Sequence, residues 1–294
     1  MTLARQEPAI AELVSFRWHR LQEAEWKTLH HGASQHGKVA VPAGDSVALV
    51  GVEGESYAPL KDEPALFRIF AAIEDTPEAF ADFARAYGSL DPLPDRISKT
   101  ARGLPEGYAG DEDDWGEARE SVALAIEMWD ELRGGNPSEL IERMWETRRV
   151  GDELGIYPNG PPQCWKGELM DSCLLIVDAS SSDREIVQAM LASEVNQGLK
   201  HADVTPALAA TNKSYGAGLR LTYRVGSLLG AMWLQLALAI DGNRDYRTCE
   251  GCGLPWDATG ARASRDWCSE RCRQRIYRRG QKDAGNSEGA GATS

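Results

Sequence analysis

Cys249, Cys252, Cys268 and Cys272 constrain this chain more than any other feature of its 294 residues. Their spacing, C-x2-C-x15-C-x3-C, makes two close pairs. A tetrahedral zinc site takes four soft ligands, and two such pairs supply them. The first pair lies in "CEGCG", a tight turn in which Gly251 and Gly253 tolerate unusual backbone. The second falls where a helix is expected to start. Cys268 sits near its N-terminus and Cys272 one turn on, so both sulfurs face one ion. The helix N-terminus also favours thiolate over thiol. A knuckle, a short hairpin and a helix carrying the last two ligands make a treble-clef or zinc-ribbon-like finger over residues 244–282. So short a module has little core, and one Zn2+ should provide much of its folding free energy. The competing readings are four unrelated thiols or an added redox role. The paired spacing and the knuckle glycines favour the metal.

The same segment is basic within an acidic chain. The net charge is −13. Residues 244–282 hold ten Lys or Arg against five Asp or Glu, while residues 1–243 hold 22 against 38. Local fields rather than totals attract phosphates. On a helix advancing about 100° per residue, Arg271, Arg275, Arg278, Arg279 and Lys282 fall within an arc of about 100°, and Arg273 points elsewhere. Such a stripe on a metal-anchored helix suits a nucleic-acid backbone. Arg271, Arg273, Arg275, Arg278, Arg279 and Lys282 are the candidate contacts. A basic helix docked on an acidic protein, or on this chain's own acidic body, is the competing reading, and RNA is as accessible to it as DNA.

Residues 1–243 read as a mainly α, α+β body. A helix over 8–29 would carry Phe16, Trp18, Leu21 and Trp26 on one side. Residues 30–38 read as a loop, and "VAVPAGDSVALVGVEG" as one or two strands. Helices are expected over 63–73, from Thr76 to Gly88, over 113–135, from Asn136 to about Arg149, and from Ser182 to about Lys200. Residues 91–112 read as a connection and a sub-boundary, and 155–165 as a turn-rich break. Residues 170–179 suit either a strand or a buried helix, and 218–226 alternate as a strand does. Ser227 caps "LLGAMWLQLALAI", apolar almost all round and therefore expected in a core. Residues 283–294 are small and polar, and disorder is expected there.

Other constellations carry less. His30, His31 and His36 cluster in a loop, but a metal site would need a further ligand from the fold. The acids of "GDEDDW" suit a helix entry. Cys164 and Cys173 are isolated and read as buried thiols. Residues 244–282 contain no histidine, which argues against the metal chemistry of treble-clef nucleases. No phosphate-binding or nucleophile-elbow motif occurs, and no catalytic constellation stands out. No apolar run reaches the length of a membrane span and no secretory segment opens the chain, so a cytoplasmic protein is expected.

"RTCEGCG" followed by "WCSERCRQRIYRR" resembles the finger of the CGNR family of bacterial proteins. The resemblance covers about 40 residues. It implies a transcription regulator that holds zinc on Cys249, Cys252, Cys268 and Cys272 and contacts DNA through the arginine-rich helix. Where that family has Cys-Gly-Asn-Arg, this chain has Cys272-Arg273-Gln274-Arg275, so only the ends of the motif agree. The body resembles a group of actinobacterial proteins that end in a similar finger, and no function carries over from them. One finger makes few contacts, so a homodimer is expected.

Overall fold

The computed structural model describes residues 16–31, 34–36, 39–41, 44–92, 96–99, 105–150, 152–158, 175–213 and 216–288. It is an α+β fold. Strand β1 (Trp18–His31) pairs antiparallel with β4 (Gly44–Tyr57), and the short β2 (Ser34–His36) and β3 (Val39–Val41) pair with each other between them in the chain. Strands β5 (Arg96–Lys99) and β6 (Pro105–Asp111) complete a sheet of order β1-β4-β6-β5.

Three expectations fail here. Residues 18–29 form a strand rather than a helix (8–15 lie outside the described residues), 30–31 and 34–36 lie in strands β1 and β2 rather than a loop, and 91–112 contribute two strands of the first sheet rather than a connection. The cause of the first misreading is visible in the register. Shifts between His19 and Leu21 and between Leu21 and Glu23 break the two-residue alternation. Leu21 and Ala24 are therefore both buried although three positions apart, a spacing that imitates a helix face. Trp18 and Trp26 pack on the same core and donate their indole N–H groups to the carbonyls of Ser89 (2.9 Å) and Pro77 (2.6 Å).

Helices α1 (Pro59–Asp62), α2 (Leu66–Ala71) and α3 (Pro77–Tyr87) follow the sheet, and Thr76 Oγ1 caps α3 by accepting from Ala79 N–H. Helix α4 (Glu112–Gly134) opens on a capping box of Asp111 and Asp114, which explains the acidic run at its start. Helix α5 (Pro137–Met144) is shorter than expected, because Trp145–Val150 leave it as strand β7 and pair with β8 (Glu153–Pro158). Strand β9 (Leu175–Asp178) completes that sheet and settles part of the ambiguous 170–179 segment. Cys164 and Cys173 lie outside the described residues. Helix α6 (Asp183–His201) starts at the Ser182 cap, and β10 (Thr205–Lys213) and β11 (Gly216–Arg224) form a separate antiparallel ribbon.

The apolar helix α7 (Leu228–Asp241) is the centre of the body, as its sequence requires. Leu228, Met232, Trp233 and Leu236 are buried in one core with residues of α2, α4 and α6. Its one polar core residue, Gln235, is 1% exposed and donates to the carbonyls of Pro59 and Glu63. Beside it Phe70, Phe80, Phe83 and Trp115 form an aromatic cluster with neighbouring ring centroids 5.0 to 6.2 Å apart. No helix among the described residues is long and apolar enough to cross a membrane.

Candidate metal centre and basic helix

The chain leaves α7 through Tyr246, and this residue joins the C-terminal module to the body. Its ring meets Phe67 edge-on at 5.3 Å and Trp129 at 6.1 Å, and the guanidinium of Arg68 lies 5.3 Å from its centroid. Its hydroxyl donates to the Pro64 carbonyl at 3.3 Å. Arg133 of α4 adds an ion pair to Asp245 at 3.6 Å. Burial, aided by the nearby Asp257 carboxylate, raises the phenol's pKa, so it stays a neutral donor.

Strands β12 (Tyr246–Thr248) and β13 (Pro255–Asp257) form a short hairpin with the first cysteine pair in its turn. The turn folds back on itself: Gly253 N–H donates to the Cys249 carbonyl at 2.7 Å, and Gly253 adopts a φ of 75°. Gly251 is needed for another reason. A Cβ there would lie 2.7 Å from Cys272 Cβ and 2.9 Å from Cys272 O, so only glycine lets the knuckle touch the helix. Helix α8 (Glu270–Glu288) begins just after Cys268, and Ser269 Oγ accepts from Cys272 N–H at 3.4 Å as its cap.

The four sulfurs converge. All lie within 4.8 Å of one another, and among the described residues they are the one group of His, Cys, Asp or Glu side chains placed to hold a metal ion. Cys252 and Cys268 sulfurs are 3.8 Å apart, and those of Cys268 and Cys272 3.6 Å. A tetrahedron with metal–sulfur bonds of about 2.3 Å has edges of about 3.8 Å, so the arrangement fits one ion. The electrostatics agree. Burial opposes ionisation of Cys249, but N–H groups of Cys268, Cys252 and Gly251 aimed at its sulfur outweigh this and bring its pKa down to about 6. Burial and the neighbouring thiols push Cys268 up to about 12, and burial raises Cys252. The Cys249 thiol gives up its proton readily, and Cys252 and Cys268 hold theirs until a cation takes their place.

Around the sulfurs Trp256, Ala258, Ala261 and Trp267 form a small apolar cluster separate from the body core. Arg265 stacks over Trp256 at 4.8 Å and donates to the carbonyls of Trp267 and Cys268 at 3.0 and 3.1 Å, holding the turn into α8. Arg265, Trp256 and Ser269 were not singled out from the sequence. Only Ser269 carried a local signal, as a capping residue before Glu270.

The candidate basic contacts separate into three groups. Arg275 Nη1 donates to the Gly251 carbonyl at 3.0 Å, so it braces the knuckle rather than standing free. Arg273 pairs with Glu270 at 2.8 Å on the exposed surface. Arg271, Arg278 and Arg279 are exposed, have no carboxylate partner among the described residues, and line one shallow groove with Gln274 and Arg275. Lys282 lies on α8 beyond the residues whose side chains are described. The helix itself runs through Glu288, so the expected disorder of 283–294 does not hold for its first half, and 289–294 lie outside the described residues. The capped start meets the nucleation cost, and each further residue adds one hydrogen bond. His30 and His31 end β1 and His36 lies on β2, with side chains outside the described set.

No protein-family model, curated protein or solved structure matches this chain. The resemblance to the CGNR finger therefore rests on the quoted residues alone.

Proposed function

We propose that this protein is a zinc-finger DNA-binding regulator. Cys249, Cys252, Cys268 and Cys272 hold one Zn2+, and α8 lays Arg271, Arg278 and Arg279 on the phosphate backbone. Four thiolates with no carboxylate or water position suit a closed structural zinc site rather than a catalytic one. The sequence of knuckle, hairpin and cysteine-bearing helix fits the treble-clef plan. The observation that carries the reading is the state of the three arginines. They are exposed, unpaired among the described residues, and project from a helix braced at its start by the metal cluster and joined through Tyr246 to the body. The acidic body does not neutralise them through any described contact, which favours an external polyanion over self-docking.

The test is zinc content together with titration of duplex DNA at two salt concentrations. Wild type, Cys268→Ser, and a variant with Arg271, Arg278 and Arg279 changed to Ala are compared. One zinc per chain and salt-sensitive binding lost in both variants is the expected result. One zinc with no DNA binding by the wild type transfers the basic helix to an acidic protein partner, and preference for RNA over duplex DNA transfers it to RNA.

A further inference from the structure

Helix α8 meets the rest of the finger along one side. Cys272, which Gly251 touches, is buried, and Ile276 one turn on is half-buried. No described helix or strand packs along the other sides of α8. At about 100° per residue, Cys272 and Ile276 define an inner face. Gln274 lies about 180° from the middle of that face, on the outermost line of the helix. It is exposed, and its side chain makes no hydrogen bond to another described residue. Arg278 and Arg271 stand about 40° and about 60° to one side of it, and Tyr277 and Arg273 about 60° and about 100° to the other. Two shallow grooves run along the helix there. Arg271, Gln274, Arg275, Arg278 and Arg279 line one, and Arg273, Gln274, Tyr277 and Arg278 line the other. Gln274 and Arg278 form the ridge between them.

A neutral amide on the outermost line, with guanidinium groups on both flanks, suits a helix lying in a major groove. That groove is about 12 Å wide and admits one helix. Flanking cations meet the phosphates of its two walls, and the outermost side chain reaches the floor, where the base edges lie. A glutamine amide offers a donor and an acceptor side by side. They match the N7 acceptor and the N6 donor of adenine. We infer that Gln274 is the base-reading residue of the finger and selects adenine, while Arg271 and Arg278 on one side and Arg273 on the other seat the helix on the phosphates. The inference rests on the DNA reading above and supplies its sequence preference. The pair of Arg273 with Glu270 is exposed and contributes little, so a phosphate can replace the carboxylate. Charge complementarity selects the polyanion. Tyr277, 68% exposed, offers a stacking surface to an unpaired base, which makes a single strand the competing occupant. The amide on the outermost line and the cations on both flanks favour the duplex.

The experiment uses the full-length zinc-loaded protein and a pool of DNA duplexes with a randomised centre. Wild type, Gln274→Ala and Gln274→Arg each select their preferred sites from it. Wild type should return sites that share an adenine at one position. Exchanging that A·T pair for G·C should weaken wild-type binding by about 5- to 100-fold, the discrimination that a bidentate contact gives. Replacing the adenine by its 7-deaza analogue, which lacks the N7 acceptor, should also weaken it. Gln274→Ala should bind both sequences alike, with the zinc content and salt dependence of the wild type, because a neutral side chain releases no counterion. Gln274→Arg should prefer guanine at the same position. Unchanged zinc and salt dependence separate a lost base contact from a lost fold. An adenine preference that survives in Gln274→Ala overturns the inference and leaves the DNA reading intact. Salt-sensitive duplex binding by a wild type whose selected sites share no adenine does the same. Tighter binding of single strands than of duplex, lost in Tyr277→Ala, assigns this face to stacking and overturns the inference. A wild type that binds no DNA overturns both.

Discussion

Arg275→Ala should weaken metal binding, although Arg275 is neither a ligand nor a neighbour of one in sequence. Its guanidinium donates to the Gly251 carbonyl at 3.0 Å. That carbonyl belongs to the peptide whose N–H, on Cys252, faces the Cys249 sulfur. Arg275 therefore holds the peptide that stabilises the Cys249 thiolate, and it fixes the knuckle against α8 where Gly251 touches Cys272. A hydrogen bond from a charged donor contributes about 1.5–3 kcal/mol. Arg275 is exposed, so screening reduces this to about 1 kcal/mol. At about 1.4 kcal/mol per factor of ten, the expected result is about fivefold weaker metal binding. Arg275→Lys should recover part of it. The assay is competition for zinc against a chromophoric chelator. Arg278→Ala, one turn further along, serves as the control and should leave metal affinity unchanged. An Arg275→Ala protein that holds zinc within twofold of wild type would refute the bracing role and return Arg275 to the set of free phosphate contacts.

Three further outcomes are expected. Gly251→Ala forces the knuckle off the helix and should cost about 1–3 kcal/mol, read as zinc stoichiometry well below one per chain; full loading would mean that the contact relaxes without cost. Tyr246→Ala removes the ring between Phe67, Trp129 and Arg68 and should destabilise the protein by about 2–3 kcal/mol, whereas Tyr246→Phe, losing only the bond to Pro64, should cost about 1 kcal/mol in denaturant unfolding. Burial raises the pKa of Glu194, opposed by a hydrogen bond from Ser121 and the charge of His201. The folded state therefore holds this proton more tightly than the unfolded chain does. That stabilisation is complete below the unfolded carboxylate's pKa and lost as pH rises through the folded one. Glu194→Gln should accordingly raise the melting temperature at pH 7 and leave it unchanged at pH 3.5; a gain of equal size at both would refute the assignment.

The cluster of four cysteines and the helix caps were legible in the sequence because each depends on neighbours in the chain. Cys249 with Cys252, and Cys268 with Cys272, stand at spacings that one turn or one helical turn brings together. Thr76, Ser182 and Ser227 cap their helices through bonds three residues away. The core position of α7 followed from apolar residues around its whole circumference, which leave no face for water. What the sequence could not decide depended on distant partners. Residues 18–31 carry hydrophobic spacing that suits a helix, and only pairing with β4, with its register shifts, makes them a strand. Arg96–Lys99 and Pro105–Asp111 look like a connection until β4 supplies their ladder. The arginines form one cationic stripe when counted along a helix. The fold divides them, because Arg275 finds a carbonyl 24 residues away while Arg271, Arg278 and Arg279 find none among the described residues. Spacing along the chain determines which groups can meet locally, and only the packed structure determines which are consumed in holding it together and which remain for a partner.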